Sequence, residues 1–231
     1  MTIAARPELL GLALLVLPEL AVAQEPSFMP PGQLEPRTGT GLHDSTIYYP
    51  GIRFTTEIAP AFANSQNYRP GGQGGGPGGQ CSRVNYSYPW WDNFCETRGR
   101  DTPLCPTGRG HQGQDIRPAT CKADLHWAVA VAAGWIAHVG SYSFTLQTPN
   151  GTLHNYLHVN LSTLTVKRGD RVTRGQRLAT ISNWFGGTPT TIHLHFEIKD
   201  AASVAGRRRV VHIPPYATLV ASYKRLLDGT P

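Results

Sequence analysis

From Ile192 to Ile198 the chain alternates strictly: Ile192, Leu194, Phe196 and Ile198 are apolar, and His193, His195 and Glu197 stand between them. Few local structures suit such a stretch. Successive side chains of a β-strand point to opposite faces, so the apolar four belong to a core and the two histidines share the other face with the glutamate. Two imidazoles spaced this way stand about 7 Å apart along a strand, within reach of one small ion or water. The pair alone suits two ordinary strand histidines equally well.

A second cluster narrows the choice. Gly108-Arg109-Gly110-His111-Gln112-Gly113-Gln114-Asp115-Ile116 offers a histidine and a carboxylate four residues apart. A straight strand would separate them by about 13 Å, too far for ligand bonds of about 2 Å, so the backbone must turn between them. Gly110 and Gly113 permit that. His111, Asp115 and one histidine of the pair would give a tetrahedral zinc three ligands and leave its fourth position for water, which separates a catalytic from a structural site.

Between the two clusters lie Asn155-Tyr156-Leu157-His158-Val159, with Tyr156 and His158 expected on one strand face, and the glycine-punctuated turn Lys167 to Gln176. In order, HxxxD, YxH, KxGDxVxxGQ and HLHFE resemble the catalytic domain of the lysostaphin-type (LytM-like) zinc metallopeptidases, which cut peptide cross-links in bacterial cell walls. The resemblance runs from about Gly108 to Ile198. It implies a mainly β fold, an antiparallel sheet forming a groove, of duplicated hybrid motif type. It further implies one Zn2+ ion held by His111, Asp115 and His195, with His158 and His193 as the catalytic pair. Which histidine is the general base stays open. The implied partners are peptidoglycan peptide stems or cross-bridges. One departure bears on substrate preference: Trp184 to Ile192 lacks the small Ser-Thr-Gly loop usual in the family. The competing readings are a catalytically silent wall-binding regulator and a zinc peptidase acting on secreted proteins.

The remaining sequence sets the context. A net charge of +6 suits a polyanionic surface such as a cell wall, and no basic helix or nucleic-acid motif argues for nucleic acid. Residues 1–23 read as a secretory signal peptide: Arg6, an apolar run from Leu9 to Leu17, and small residues before a cut after Ala23. Export to a periplasmic or extracellular location follows, with no integral membrane segment after cleavage. Cys81, Cys95, Cys105 and Cys121 then read as two disulfides. Sequence cannot choose among the three pairings; proximity favours Cys105 with Cys121, which would clamp the loop bearing His111 and Asp115.

Four regions are expected: the signal at 1–23, an extended or flexible Pro/Gly-rich segment at 24–80, the catalytic domain at 81–201, and an extension at 202–231. Its end, from Tyr216 to Leu227, has helical spacing and is expected to pack on the sheet. Residues 24–80 end in a glycine run that reads as a flexible linker, with a short strand at Ile47 to Phe54 before it; self-occlusion of the groove by this segment is a further expectation. The aromatic stretch Asn85 to Phe94 is read as core, with a substrate-stacking wall as the alternative. Asn150-Gly151 predicts a hairpin turn, and His126, His138 and His154 are read as structural or surface residues.

Overall fold

A computed structural model describes Met1 and residues 24–231. The expected signal segment therefore lies outside the described residues, Met1 excepted. The chain is mainly antiparallel β-structure with one C-terminal helix. Its strands, in chain order, are β1 Phe62–Ala63, β2 Gln114–Arg117, β3 Trp127–Val129, β4 Gly134–Val139, β5 Ser143–Gln147, β6 Leu153–Leu157, β7 Val159–Asn160, β8 Arg171–Val172, β9 Arg177–Ile181, β10 Leu194–Val204 and β11 Arg207–Ile213, followed by helix α1 Tyr216–Leu227. The larger sheet runs β1-β2-β10-β6-β5-β4-β8, with β11 also pairing β10, and β3-β9-β7 form a smaller sheet. Among the described residues no helix is long and apolar enough to cross a membrane.

The alternating stretch supplies the central strand. Leu194, Phe196 and Ile198 of β10 are fully buried in the core. β10 continues beyond Ile198 into a hairpin with β11, where Arg207, Arg208 and Arg209 are exposed, so the boundary expected at 201/202 falls inside a strand. β5 and β6 pair across Asn150-Gly151, the hairpin that the Asn-Gly dipeptide predicts.

Residues 24–80 are extended and packed, not a free tether. Ile47 to Phe54 forms no strand; the segment's own strand is β1, which pairs β2. Phe54, Ala61, Asn64 and Ser65 are buried. The glycine run is folded back on itself: Gly74 N–H donates to the Asn67 carbonyl, and Gly72 N–H to the Arg69 carbonyl. Low overall hydrophobicity misleads here because a few well-spaced apolar residues anchor the segment, while buried amides satisfy its backbone.

The aromatic stretch is core. Trp90 is fully buried, its ring lies 4.4 Å from Tyr223 of α1 and 5.5 Å from Phe54, and its Nε1–H donates to the Ala61 carbonyl. Helix α1 thus packs on the aromatic cluster of the N-terminal segment, within the same core that includes Ile198 and Ile213 of the sheet. Trp90→Ala is expected to cost about 3–5 kcal/mol of stability, the range for deleting a buried tryptophan. Chemical denaturation checks it, and an unchanged midpoint would return this residue to the groove-wall reading.

The disulfides are Cys81–Cys121 and Cys95–Cys105. This corrects the proximity pairing of Cys105 with Cys121. Cys95 and Cys105 are ten positions apart, and the loop between them folds back beside His111, whose carbonyl accepts from the Cys95 N–H and whose own N–H donates to the Glu96 carbonyl.

His154 gives the fold a pH dependence. Its ring stacks 5.9 Å from Phe196 and its Nδ1 has no hydrogen-bond partner. Burial pushes its pKa down to about 4, with Asp200 opposing weakly. The unfolded chain takes up this proton near pH 6.5 and the folded chain only near 4, so the stability is full above 6.5 and is lost as pH falls to 4. The shift corresponds to about 3 kcal/mol. His154→Phe is expected to remove that part of the acid slope when unfolding free energy is measured from pH 7 to 4.

Candidate active site

Asp115 sits directly opposite His195 in the pairing of β2 with β10. Facing residues of an antiparallel pair bring their side chains together, and His195 Nδ1 lies 2.8 Å from Asp115 Oδ1. His111 reaches the same oxygen through Nε2 at 3.3 Å, after the chain turns back at Gly113. That glycine is required by close approach: a Cβ there would stand 2.3 Å from the Phe196 carbonyl oxygen. The ligand atoms of His111, Asp115 and His195 all lie within 4.8 Å of one another.

The second pair lies beside this trio. The His158 and His193 ring centroids are 4.5 Å apart, and His158 is 6.2 Å from His195. His193 precedes β10 instead of lying in it. His158 has a left-handed backbone, φ 63°, a conformation that costs about 1–3 kcal/mol outside glycine and clusters at functional sites. This turn breaks the alternation expected for Tyr156 and His158. Tyr156 is fully buried, its hydroxyl bonded to the Val129 carbonyl and the Val131 N–H, while Leu157 and His158 line the cleft.

The surroundings fix each imidazole. His111 Nδ1–H donates to the Asn93 carbonyl at 2.9 Å, leaving Nε2 toward Asp115. His195 Nε2–H donates to Glu197 Oε1 at 2.9 Å, and Glu197 Oε2 accepts from Asn155 at 2.8 Å. His158 Nδ1–H donates to the Trp184 carbonyl and His193 Nδ1–H to the Thr191 carbonyl, both at 2.8 Å, so Nε2 of each is free of its proton in the neutral ring. Aromatic rings hold His158 further: Phe185 is 5.2 Å away and Tyr142 is stacked at 6.0 Å.

Electrostatics divide the histidines. Burial, aided by nearby His195, pushes His158 down to about 4, and burial holds His193 well below the ordinary value and lowers His111. His195 goes the other way: burial opposes its charge, but Asp115 and Glu197 raise it to about 9. Burial also opposes ionisation of Asp115, yet His111 and His193 hold it well below the usual carboxylate range. The His195 ring thus lies between two buried carboxylates that favour a positive charge there, one that a divalent ion can supply.

These donors fit zinc. Two imidazole nitrogens and one carboxylate oxygen converge, and each has an outer partner, the arrangement that orients metal ligands. All five residues singled out in the sequence come together. Sequence reasoning missed Asn93, whose only trace is an amide within a dense aromatic stretch just before Cys95, and it gave no role to Glu197 or Asn155.

The cleft above the site has a volume of about 770 Å³. Gln66, Asn67, Gln73 and Gln80 of the N-terminal segment line it, with Arg98, Arg100, Tyr142 and Phe185. Residues 24–80 thus stand as a wall: Gln66 Oε1 accepts from the Thr191 hydroxyl and Gln80 Oε1 from Ile192 N–H.

Residues 109–206 match the model of peptidase family M23. Over 123 residues the chain is 32% identical to glycyl-glycine endopeptidase ALE-1 of Staphylococcus capitis, covering 51% of this chain and 33% of that protein. The match thus spans about a third of that relative's length. Among solved structures, the catalytic domain of lysostaphin from Staphylococcus simulans is similar at 22% identity and a TM-score of 0.41, over 56% of this chain and 90% of that one. A zinc-containing peptidase from Vibrio cholerae is similar at 27% identity and a TM-score of 0.33, over 48% of this chain and 31% of that one.

Proposed function

Because residues 109–206 belong to peptidase family M23, we propose that this chain is an exported zinc metalloendopeptidase that hydrolyses peptide cross-links of bacterial peptidoglycan. The observation that carries the reading is the convergence of His111, Asp115 and His195 beside the buried pair His158 and His193. The relative from Staphylococcus capitis is named for cutting glycyl-glycine bonds. The two disulfides support an oxidising compartment, and with it export.

His111, Asp115 and His195 would hold the zinc ion. A zinc ion bound there would supply Lewis acidity, polarising a peptide carbonyl and lowering the pKa of water so that hydroxide forms near neutral pH. His158 and His193 supply proton transfer. Both are neutral at pH 7, and their Nδ1–H bonds to carbonyls leave Nε2 as an acceptor. An Nε2 that takes the attacking water's proton can return it to the leaving amine. Phe185 and Tyr142 keep the His158 ring in place, and the left-handed turn at His158 delivers it to the cleft. Glu197 and Asn93 hold the ligands in the required tautomers.

Digestion of purified peptidoglycan, with mass analysis of the fragments, tests this. Peptide-bond cleavage that stops with a chelator is expected. No fragments would establish the silent binder, and cleavage of a protein probe alone would establish a peptidase of secreted proteins.

A further inference from the structure

Asn93 lies sixteen positions before the family match begins at residue 109, yet it touches two of the three metal-ligating residues. Its carbonyl accepts from His111 Nδ1–H at 2.9 Å. Its side-chain Nδ2 donates to Asp115 Oδ2 at 3.1 Å, and its Oδ1 accepts from Asp115 N–H at 3.2 Å. The residue is buried, and Nδ2 also donates to the Asn64 carbonyl at 3.2 Å, which tethers it to the N-terminal segment. The loop that follows is pinned at both ends: Cys95 N–H donates to the His111 carbonyl, His111 N–H donates to the Glu96 carbonyl, and Cys95 is bonded to Cys105. His111 and Asp115 thus receive their orientation from outside the sequence that carries their motif.

The chemistry of a carboxylate ligand explains why this matters. With Oδ2 held by the amide, Asp115 presents Oδ1, the atom that lies 3.3 Å from His111 Nε2 and 2.8 Å from His195 Nδ1. The Asn93 carbonyl at the same time keeps the proton of His111 on Nδ1, so Nε2 has its lone pair for a metal. A residue that fixes both a carboxylate rotamer and an imidazole tautomer belongs to the outer shell that tunes metal affinity.

We propose that Asn93 is a positioning residue of the metal centre, through which the disulfide-closed loop preceding the family domain sets the affinity and geometry of the bound ion. The inference rests on the zinc reading above. Asn93→Ala keeps the backbone carbonyl and removes both side-chain bonds to Asp115; Asn93→Ser is a milder variant if the alanine form does not fold. Leu219→Ala, in the buried face of α1, serves as a control that lowers stability without touching the site.

The full chain, stripped of metal, is titrated with Zn2+ against a chromophoric chelator, and separately with Co2+ while its visible absorption bands are recorded. Wild type is expected to bind one ion. Asn93→Ala is expected to bind zinc roughly 10- to 100-fold more weakly and to give altered Co2+ bands, and Leu219→Ala to match wild type in both. Wild-type affinity and bands in the folded Asn93 variants would overturn the proposal alone. So would an equal loss of affinity in Leu219→Ala. A wild-type chain that binds no zinc would overturn the underlying reading as well.

Discussion

Asp115→Ala is expected to remove zinc binding at micromolar metal and to reduce peptide cleavage to that of chelator-treated protein. Asp115 Oδ1 is the atom on which His111 and His195 converge, so its loss would take away one of the three proposed ligands and the charge that draws the other two together. If each ligand carries about a third of the roughly 10–16 kcal/mol typical of a protein zinc site, affinity falls by about 3–5 kcal/mol, or two to four orders of magnitude. His195 should also titrate lower in this variant than in metal-free wild type, since Asp115 supplies part of the rise and Glu197 the rest. Metal analysis after dialysis, with titration of His195 by NMR, reads both effects. An Asp115→Ala chain that retained stoichiometric zinc would show that the ion is held elsewhere.

His158→Ala and His193→Ala are expected to separate catalysis from metal binding. Each should lower kcat by roughly 10²–10⁴, the range for losing a positioned proton-transfer group, while the zinc stoichiometry stays at wild type. His193 needs the metal readout more than His158, because its Nε2 is 3.5 Å from Asp115 Oδ1. The two rings are 4.5 Å apart, and if both act in the proposed reaction the double variant should fall little below the worse single variant. Loss of zinc in either single variant would move that histidine into the ligand set.

The parts of this site that were legible in the sequence are those written in local spacing. Strand alternation placed His195 and Glu197 on one face of β10 and Leu194, Phe196 and Ile198 on the other, because the period of a strand is fixed by its geometry. The turn between His111 and Asp115 followed from the length of an extended chain, and Asn-Gly marked the β5–β6 hairpin. What local spacing does not carry was misread or missed. Asn93 reaches Asp115 across 22 positions, and nothing near it in the chain announces the contact. The disulfides join Cys95 to Cys105 and Cys81 to Cys121, a choice made by tertiary packing. Residues 24–80 resemble a linker in composition, but Phe54, Ala61 and Phe62 are placed where the helix and sheet can cover them. His158 left the face of Tyr156 through a left-handed residue that no periodicity predicts.

The N-terminal segment also bears on substrate choice. Its amides line the cleft together with Arg98, Arg100, Tyr142 and Phe185.

Titration of the metal-free protein with zinc, followed by the rate of peptide-bond cleavage in purified peptidoglycan, tests the central claim most directly. Activity should rise in proportion to added zinc, reach a plateau at one equivalent per chain, and vanish on chelation. A rate that ignores both zinc and chelator would contradict it.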